Sequence, residues 1–331
     1  MNETCPEAER ESLYLLSPQN VSALFEPYTE RRIQLQIDPR LPDPRFGAVA
    51  ERVRQVFRAF TIASRRLTMQ GNAPKVFGTL GVGSGIEAIG AAHIFPELDR
   101  IVATDRDPLL LAEAAINIRF NIESRITVAA RDGNIFAPLV STGGWRVDLL
   151  YADLSDIPFT TAPEAIVERR AYCPPVARTA HDDVLNDYQL GLPYHFLRSG
   201  LSALSPRGAM LIALGGRFPY GVFDQLADAA GLRFTEILCA LRRQADDQAV
   251  ISGFAAVEAA SAGFEFYDFD AAHGIVGDMI INGDAMKSLL ARHRLSAQAA
   301  LQALGAGRSI GHTIHLILAT PIPGSSVPPS A

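Results

Sequence analysis

Cysteine is scarce in this chain: Cys5, Cys173 and Cys239 are the only three in 331 residues. They lie far apart and match no CxxC spacing, so the sequence indicates neither a disulfide framework nor a metal site, zinc included. Each is expected to be a free thiol. No apolar run approaches the roughly 20 residues of a membrane span. The opening MNETCPEAERES is polar and acidic, without the basic start and apolar stretch of a secretory signal. A cytoplasmic protein with no membrane partner is the expectation. Sustained Lys/Arg runs are missing too, and the formal net charge is -6, which argues against a nucleic-acid partner held through phosphates. Small molecules are the expected partners. What is present is ordinary: 48% hydrophobic and 20% charged residues exclude wholesale disorder. The length suggests one central domain with additions at both ends, and a homodimer stays open.

Residues 13–70 carry helical patterns interrupted by DPRLPDPRF (38–46), whose prolines forbid a continuous helix, so residues 1–70 are expected to form a helical or lid region. From Val76 the pattern alternates. Strands are expected at 76–80, 100–104, 126–130, 147–152 and 209–214, with helices from Ser84, at 108–120, 188–204 and 222–230. That alternation implies parallel βαβ units and an α/β, Rossmann-like, doubly wound sheet over residues 71–262. Two β-rich runs at 234–241 and 250–258, joined by a polar turn, are expected to close it. Residues 263–320 read as an α+β appendage with helices at 284–293 and 296–304 and the apolar strand HTIHLILAT. The tail 321–331 is Pro/Ser-rich and expected to be disordered.

The stretch VFGTLGVGSGIEAIGAA (76–92) reads as strand, tight turn and helix, with Gly81, Gly83 and Gly85 in the turn. In open α/β sheets this first turn faces the ligand. A dinucleotide fingerprint wants GxGxxG, but here the third glycine comes one residue early and Ile86 stands in its place, which disfavours NAD. Asp105 ends the strand RIVATD about 20 residues further on, where a carboxylate can accept both hydrogen bonds of a ribose diol. It could instead cap the next helix, although Asp107-Pro108 suits that role better. Asp132, in AARDGNIF, follows the third strand and could equally be an Asp-Gly turn residue.

The GxGxG turn resembles the first motif of the class I, S-adenosylmethionine-dependent methyltransferases, in which the glycines pack against the aminoacyl part of the cofactor. That resemblance implies S-adenosyl-L-methionine as co-substrate. It implies Gly81, Gly83, Gly85, Asp105, Arg106, Asp132, Gly133 and Asp153 as its binding residues, with Asp132 at the adenine amino group. Thr79 departs from the pattern, which has an acid two residues before the first glycine. The fourth strand ends in YADLSDIPF rather than the Asn-Pro-Pro-Tyr of many amino-group methyltransferases, which weakens an amide acceptor.

The segment HDDVLNDYQLGLPYHFLRSGLSALSPRGAMLIALGGRFPYGVFDQLADAAGLRFTEIL, with QADD, FEFYDF and GRSIGHTIHL, is similar to the methyltransferase portion of the methionine S-methyltransferases. The likeness covers about residues 76–318. The plant enzymes add an aminotransferase-like region, so the resemblance is to the stand-alone bacterial form tied to dimethylsulfoniopropionate synthesis, and implies L-methionine as methyl acceptor and S-methylmethionine as product. A thioether has no proton to lose, so no general base is required. The seven histidines show no base-plus-orienter arrangement in sequence. Methionine's carboxylate and ammonium call for an Arg and an acid. Arg217, after Gly215-Gly216, is the candidate for the first; Asp153, Ser155 and Asp156 suit the second. Tyr188, Asp187 and Tyr194 could line the acceptor pocket, with Tyr188, Asp187 and Asp153 nearest the chemistry and Tyr28 on a lid; each could equally be a packed or solvated side chain. Methyl transfer to another small amino acid or a protein glutamine, or an inactive cofactor-binding module, remain the alternatives.

Overall fold

The computed structural model describes residues 17–37, 45, 47–133, 146–153, 183–244, 247–259 and 263–322. The chain divides into two compact units, Met1–Ala152 with Ser202–Ala209, and Asp153–Leu201 with Met210–Ala331.

In the first unit, apolar runs become the parallel strands β3 (Val76–Leu80), β4 (Arg100–Asp105), β5 (Thr127–Asp132) and β6 (Val147–Asp153). The order across the sheet is β6-β3-β4-β5. Phe77 sits opposite Leu149 and Ile101, and Asp105 opposite Asp132. The chain steps from β3 to β4 to β5, then returns to the other side of β3. Strand order therefore reverses at β3, and the carboxyl ends of β3 and β6 flank the crevice where α/β sheets take ligands. This is the parallel-rich α/β architecture expected from the sequence.

Helix α1 (Gly47–Met69) buries Val53, Phe57, Phe60 and Leu67 on one side. The Phe60 ring meets Phe77 at 5.6 Å, Phe95 at 5.7 Å and Tyr151 at 5.2 Å between centroids, an aromatic core under the sheet. Helix α2 (Ile86–Ile94) passes so close to α1 that a Cβ on Gly90 would stand 2.1 Å from the Phe57 ring. Helix α3 (Pro108–Asn121) starts as its sequence dictates: the Asp107 carboxylate accepts from the N–H groups of Leu109 (2.9 Å) and Leu110 (3.3 Å), with Pro108 in the first turn.

Ahead of α1 the structure corrects the expected helical pattern. Residues 17–37 form an antiparallel hairpin of β1 (Ser17–Asn20) and β2 (Gln34–Ile37). Two buried amides of α3 complete it: Asn121 exchanges hydrogen bonds with the backbone of Gln34 (3.0 and 2.7 Å), and Asn117 with that of Gln36 (2.7 and 2.9 Å). The side chains imitate a neighbouring strand, a partnership between residues 81 and 87 positions apart.

The second unit is antiparallel. Strand β11 (Ile310–Pro321) pairs with β7 (Leu204–Gly215), placing Ile314 opposite Gly215, and with β8 (Leu232–Arg243), placing Gly311 opposite Arg243. Short β9 (Phe266–Asp268) pairs with β11 and with β10 (Arg294–Leu295). The expected helix at 188–204 is shorter, α5 (Gly191–Gly200), and a further helix, α4 (Asp183–Asp187), precedes it, with Gln189 between them at a positive φ of 60°. Helix α6 (Val222–Ala230) falls as expected and ends on Gly231 in the left-handed conformation. The expected strand at 250–258 is instead part of a helix, α7 (Asp247–Glu258). Its Val250, Ile251, Phe254 and Ala255 recur at helical spacing and pack with Phe264, Phe266 and Ala300, the last on α10 (Ala297–Gly305). Helices α8 (Phe269–Val276) and α9 (Gly283–Leu290) bury Ala272, Met286 and Leu290 with Cys239 and Tyr267. Among the described residues no helix is long and apolar enough to cross a membrane.

Candidate active site

The turn after β3 is built from three glycines with positive φ: Gly81 at 63°, Gly83 at 52° and Gly85 at 85°. Their duties differ. A Cβ on Gly81 or Gly83 would meet nothing within 4 Å among the described residues, so these two present bare backbone to open space. A Cβ on Gly85 would stand 2.9 Å from Ile118 Cγ1 and 3.1 Å from the Ala114 carbonyl, so this glycine lets α2 pack on α3. The turn is tied by the Val82 N–H to the Thr104 carbonyl (3.1 Å) and the Gly85 N–H to the Val82 carbonyl (2.9 Å).

Asp105 closes the turn from the end of β4. One carboxylate oxygen accepts from the Gly83 N–H at 3.4 Å, the other from the Asp107 N–H at 3.0 Å. Burial pushes its pKa above the ordinary carboxylate value, partly opposed by these backbone donors. An ionised carboxylate has about four acceptor sites, so holding the turn leaves it capacity for a hydroxyl pair. Asp132 lies opposite Asp105 at the end of β5 and is exposed, as is Arg106. The Gly133 N–H donates to the Asp105 backbone carbonyl at 3.2 Å. These residues converge at one end of the sheet. Asp153 is the last residue of β6 and exposed. Thr79 is buried, and its carbonyl accepts from the Thr104 hydroxyl at 3.1 Å. Tyr28, in the hairpin connection, stands edge-on to Phe57 at 5.6 Å.

In the second unit Arg217 is 5% exposed and held on all sides. Its Nε and Nη2 donate to Gln244 Oε1 at 3.1 and 2.7 Å, and Nη2 also meets His312 Nε2 at 3.0 Å. The guanidinium lies over the Phe254 ring, 5.3 Å from its centroid. Tyr188 shares this surround, its ring 5.9 Å from Phe218 and 5.7 Å from Phe264, which itself stacks edge-on with Phe254. Burial raises the Tyr188 pKa. The structure thus brings Arg217 and Tyr188 to one aromatic cluster. Tyr194 is half-buried on α5 beside the His195 ring, and Asp187 ends α4. Asp156 and Ser155 lie outside the described residues.

Sequence reasoning missed the supports of Arg217. Gln244 and His312 fix the guanidinium's plane, and Lys287 donates to the carbonyls of Gly216 (3.0 Å) and Phe218 on either side of it. The Glu265 N–H donates to the Arg217 carbonyl at 2.8 Å. QADD and GRSIGHTIHL contain Gln244 and His312, but nothing local ties them to an arginine 27 and 95 positions away.

No protein-family model matches this chain, and no curated protein does. Solved structures do resemble it. The precorrin-6y C5,15-methyltransferase of Geobacter metallireducens is 12% identical, with 80% of this chain and 86% of that one covered and a TM-score of 0.36. The YcgJ protein of Bacillus subtilis is 12% identical over 79% of this chain and 99% of its own, with a TM-score of 0.38. The ribosomal protein L11 methylase of Lactobacillus delbrueckii is 16% identical over 61% and 78%, with a TM-score of 0.36.

Proposed function

We propose that this chain is an S-adenosylmethionine-dependent methyltransferase whose acceptor is the thioether sulfur of L-methionine, giving S-methylmethionine and S-adenosylhomocysteine. The observation that carries the donor half is the pair Gly81 and Gly83, open and left-handed at the reversal of strand order, with Asp105 beside them. The spacing lacks the third dinucleotide glycine, so the bare backbone suits a nucleoside without a pyrophosphate. When bound, the donor supplies an electrophilic methyl group on a sulfonium. Gly81, Gly83 and Gly133 let it approach the backbone, Asp105 accepts from its ribose, and Asp132 serves its base. The acceptor half rests on the sequence likeness to methionine S-methyltransferases, which also suggests a first step in dimethylsulfoniopropionate synthesis. Because a sulfide attacks through a lone pair and loses no proton, alignment and exclusion of water carry the reaction and no basic side chain has to be assigned.

Two outcomes test the halves separately. Asp105→Ala is expected to weaken S-adenosylmethionine binding, measured by calorimetry, by about 1 to 3 kcal/mol, the scale of a hydrogen bond to a charged group; unchanged affinity would remove Asp105 from the donor site. Arg217→Gln is expected to raise KM for methionine by about tenfold or more while leaving KM for the donor in place, since a carboxylate loses its guanidinium. A methionine KM equal to that of the parent, in a variant with unchanged circular dichroism, would rule Arg217 out. Methionine, homocysteine and a glutamine peptide offered side by side decide the acceptor.

A further inference from the structure

Thr79 leaves a charge unanswered. The methyltransferase pattern has an acid at this place and the chain has a buried, neutral side chain, so a donor with an α-amino-acid end needs a partner for its ammonium elsewhere. The first unit offers an acid that neither the glycine turn nor Asp105 uses. Glu87 stands in the first turn of α2, two residues beyond Gly85, or about 3 Å of helix rise. Its carboxylate accepts from Arg52 Nη2 of α1 at 3.1 Å, with the Glu87 side chain 12% exposed and that of Arg52 29%.

The neighbours show on which side of α2 this pair lies. Gly85 packs against α3, at Ile118 and Ala114. Glu87 and Gly90, three positions apart and so on one face, turn the other way to α1, where they meet Arg52 and Phe57. Helix α1 in turn covers β3 and β6, its Phe60 lying against Phe77 and Tyr151. With the sheet ordered β6-β3-β4-β5, a nucleoside whose base is at Asp132 on β5 and whose ribose is at Asp105 on β4 would carry its remaining end over Gly81 and Gly83 toward the β3–β6 side, the side of Arg52 and Glu87. An acid in a first turn also suits the helix dipole, and an Arg–Glu pair can tie two helices. Neither duty requires burial. Taking two charges out of water is costly, and apolar side chains of similar volume would tie α1 to α2 at least as well.

We propose, on the basis of the S-adenosylmethionine reading, that Glu87 and Arg52 bind the zwitterionic end of the donor: Glu87 accepts from its ammonium and Arg52 donates to its carboxylate. Laid against the pair, the amino acid completes a square of charges alternating in sign, so that each has opposite neighbours. Glu87 thereby supplies from the helix the acid that the strand lacks at Thr79.

Calorimetry on the full chain tests this with nucleosides that differ at that end. Methylthioadenosine lacks the amino acid altogether; decarboxylated S-adenosylmethionine lacks the carboxylate alone. The parent is expected to bind S-adenosylhomocysteine at least about tenfold more tightly than methylthioadenosine. Glu87→Gln, which keeps the shape and loses the charge, is expected to weaken S-adenosylhomocysteine by about tenfold or more and methylthioadenosine by less than about twofold. Arg52→Gln is expected to weaken S-adenosylmethionine by a similar factor and to spare its decarboxylated analogue. If Glu87→Gln, with parental circular dichroism, weakens both thioether nucleosides alike or neither, the pair is a tie between helices and the inference falls. A loss shared equally by both sulfonium donors in Arg52→Gln takes the carboxylate away from Arg52. A parent that binds none of these nucleosides overturns the donor reading itself, and this inference with it.

Discussion

Replacing Lys287 by methionine is expected to destabilise the protein by about 3 to 5 kcal/mol, the cost of breaking a buried ion pair by removing one partner. The side chain is 10% exposed and its Glu265 partner 9%. Burial lowers the Lys287 pKa, and the Glu265 carboxylate 2.8 Å away is the main influence opposing it. The ammonium also serves the Gly216 and Phe218 carbonyls. Methionine fills the volume but leaves both carbonyls without this donor and Glu265 with Arg294, a side chain 57% exposed, as its remaining ion-pair partner. Urea denaturation measures the loss. The double variant Lys287→Met, Glu265→Gln should recover part of it, because the residual penalty is mostly an uncompensated carboxylate. A loss under about 1 kcal/mol would show that water replaces the ammonium at little cost.

Acid should destabilise the fold earlier than its carboxylates alone require. His312 and His315 are buried, and burial lowers both pKa values, that of His312 well below the usual 6.5; Arg217 and Arg242 lower His312 further, while Glu236 partly offsets the effect at His315. Both imidazoles therefore take up protons at lower pH in the fold than in the unfolded chain, which charges as pH falls through 6.5. Below that value the unfolded state binds more protons, so stability drops with falling pH, by about 1.4 kcal/mol per pH unit for each histidine. His312→Gln offers Arg217 an amide oxygen in place of Nε2. Its stability profile between pH 4 and 7 should therefore be flatter than the parent's by about one proton. Parallel profiles would mean that His312 already carries its proton in the fold.

The parallel sheet was legible in the sequence because each strand there is a short apolar run and each turn carries its own punctuation, from the glycines at 81–85 to Asp107-Pro108. Helix α7 was not. Val250, Ile251 and Phe254 favour a strand by composition, and only the spacing 250, 251, 254, 255 reveals one helical face. The hairpin escaped because SPQN and QLQI have little strand character of their own; their order comes from Asn117 and Asn121, far along the chain. The same divide runs through the candidate site. Gly81, Gly83 and Asp105 belong to one strand–turn–helix unit and its neighbour, so spacing locates them. Gln244, His312 and Lys287 gather around Arg217 only through long-range strand pairing and the packing of helix α9, which no local pattern encodes.

The two asparagines of α3 also decide what the amino-terminal hairpin can do. Each grips β2 through both its oxygen and its nitrogen. Tyr28 hangs from that hairpin, and α3 begins beside Asp105. Swinging the tyrosine outward by rotating the hairpin as a block would tear all four bonds at once. Tyr28 is therefore mounted on the same frame as the glycine turn, and a cover that opens and shuts over that turn would have to bend within the connection between the two short strands.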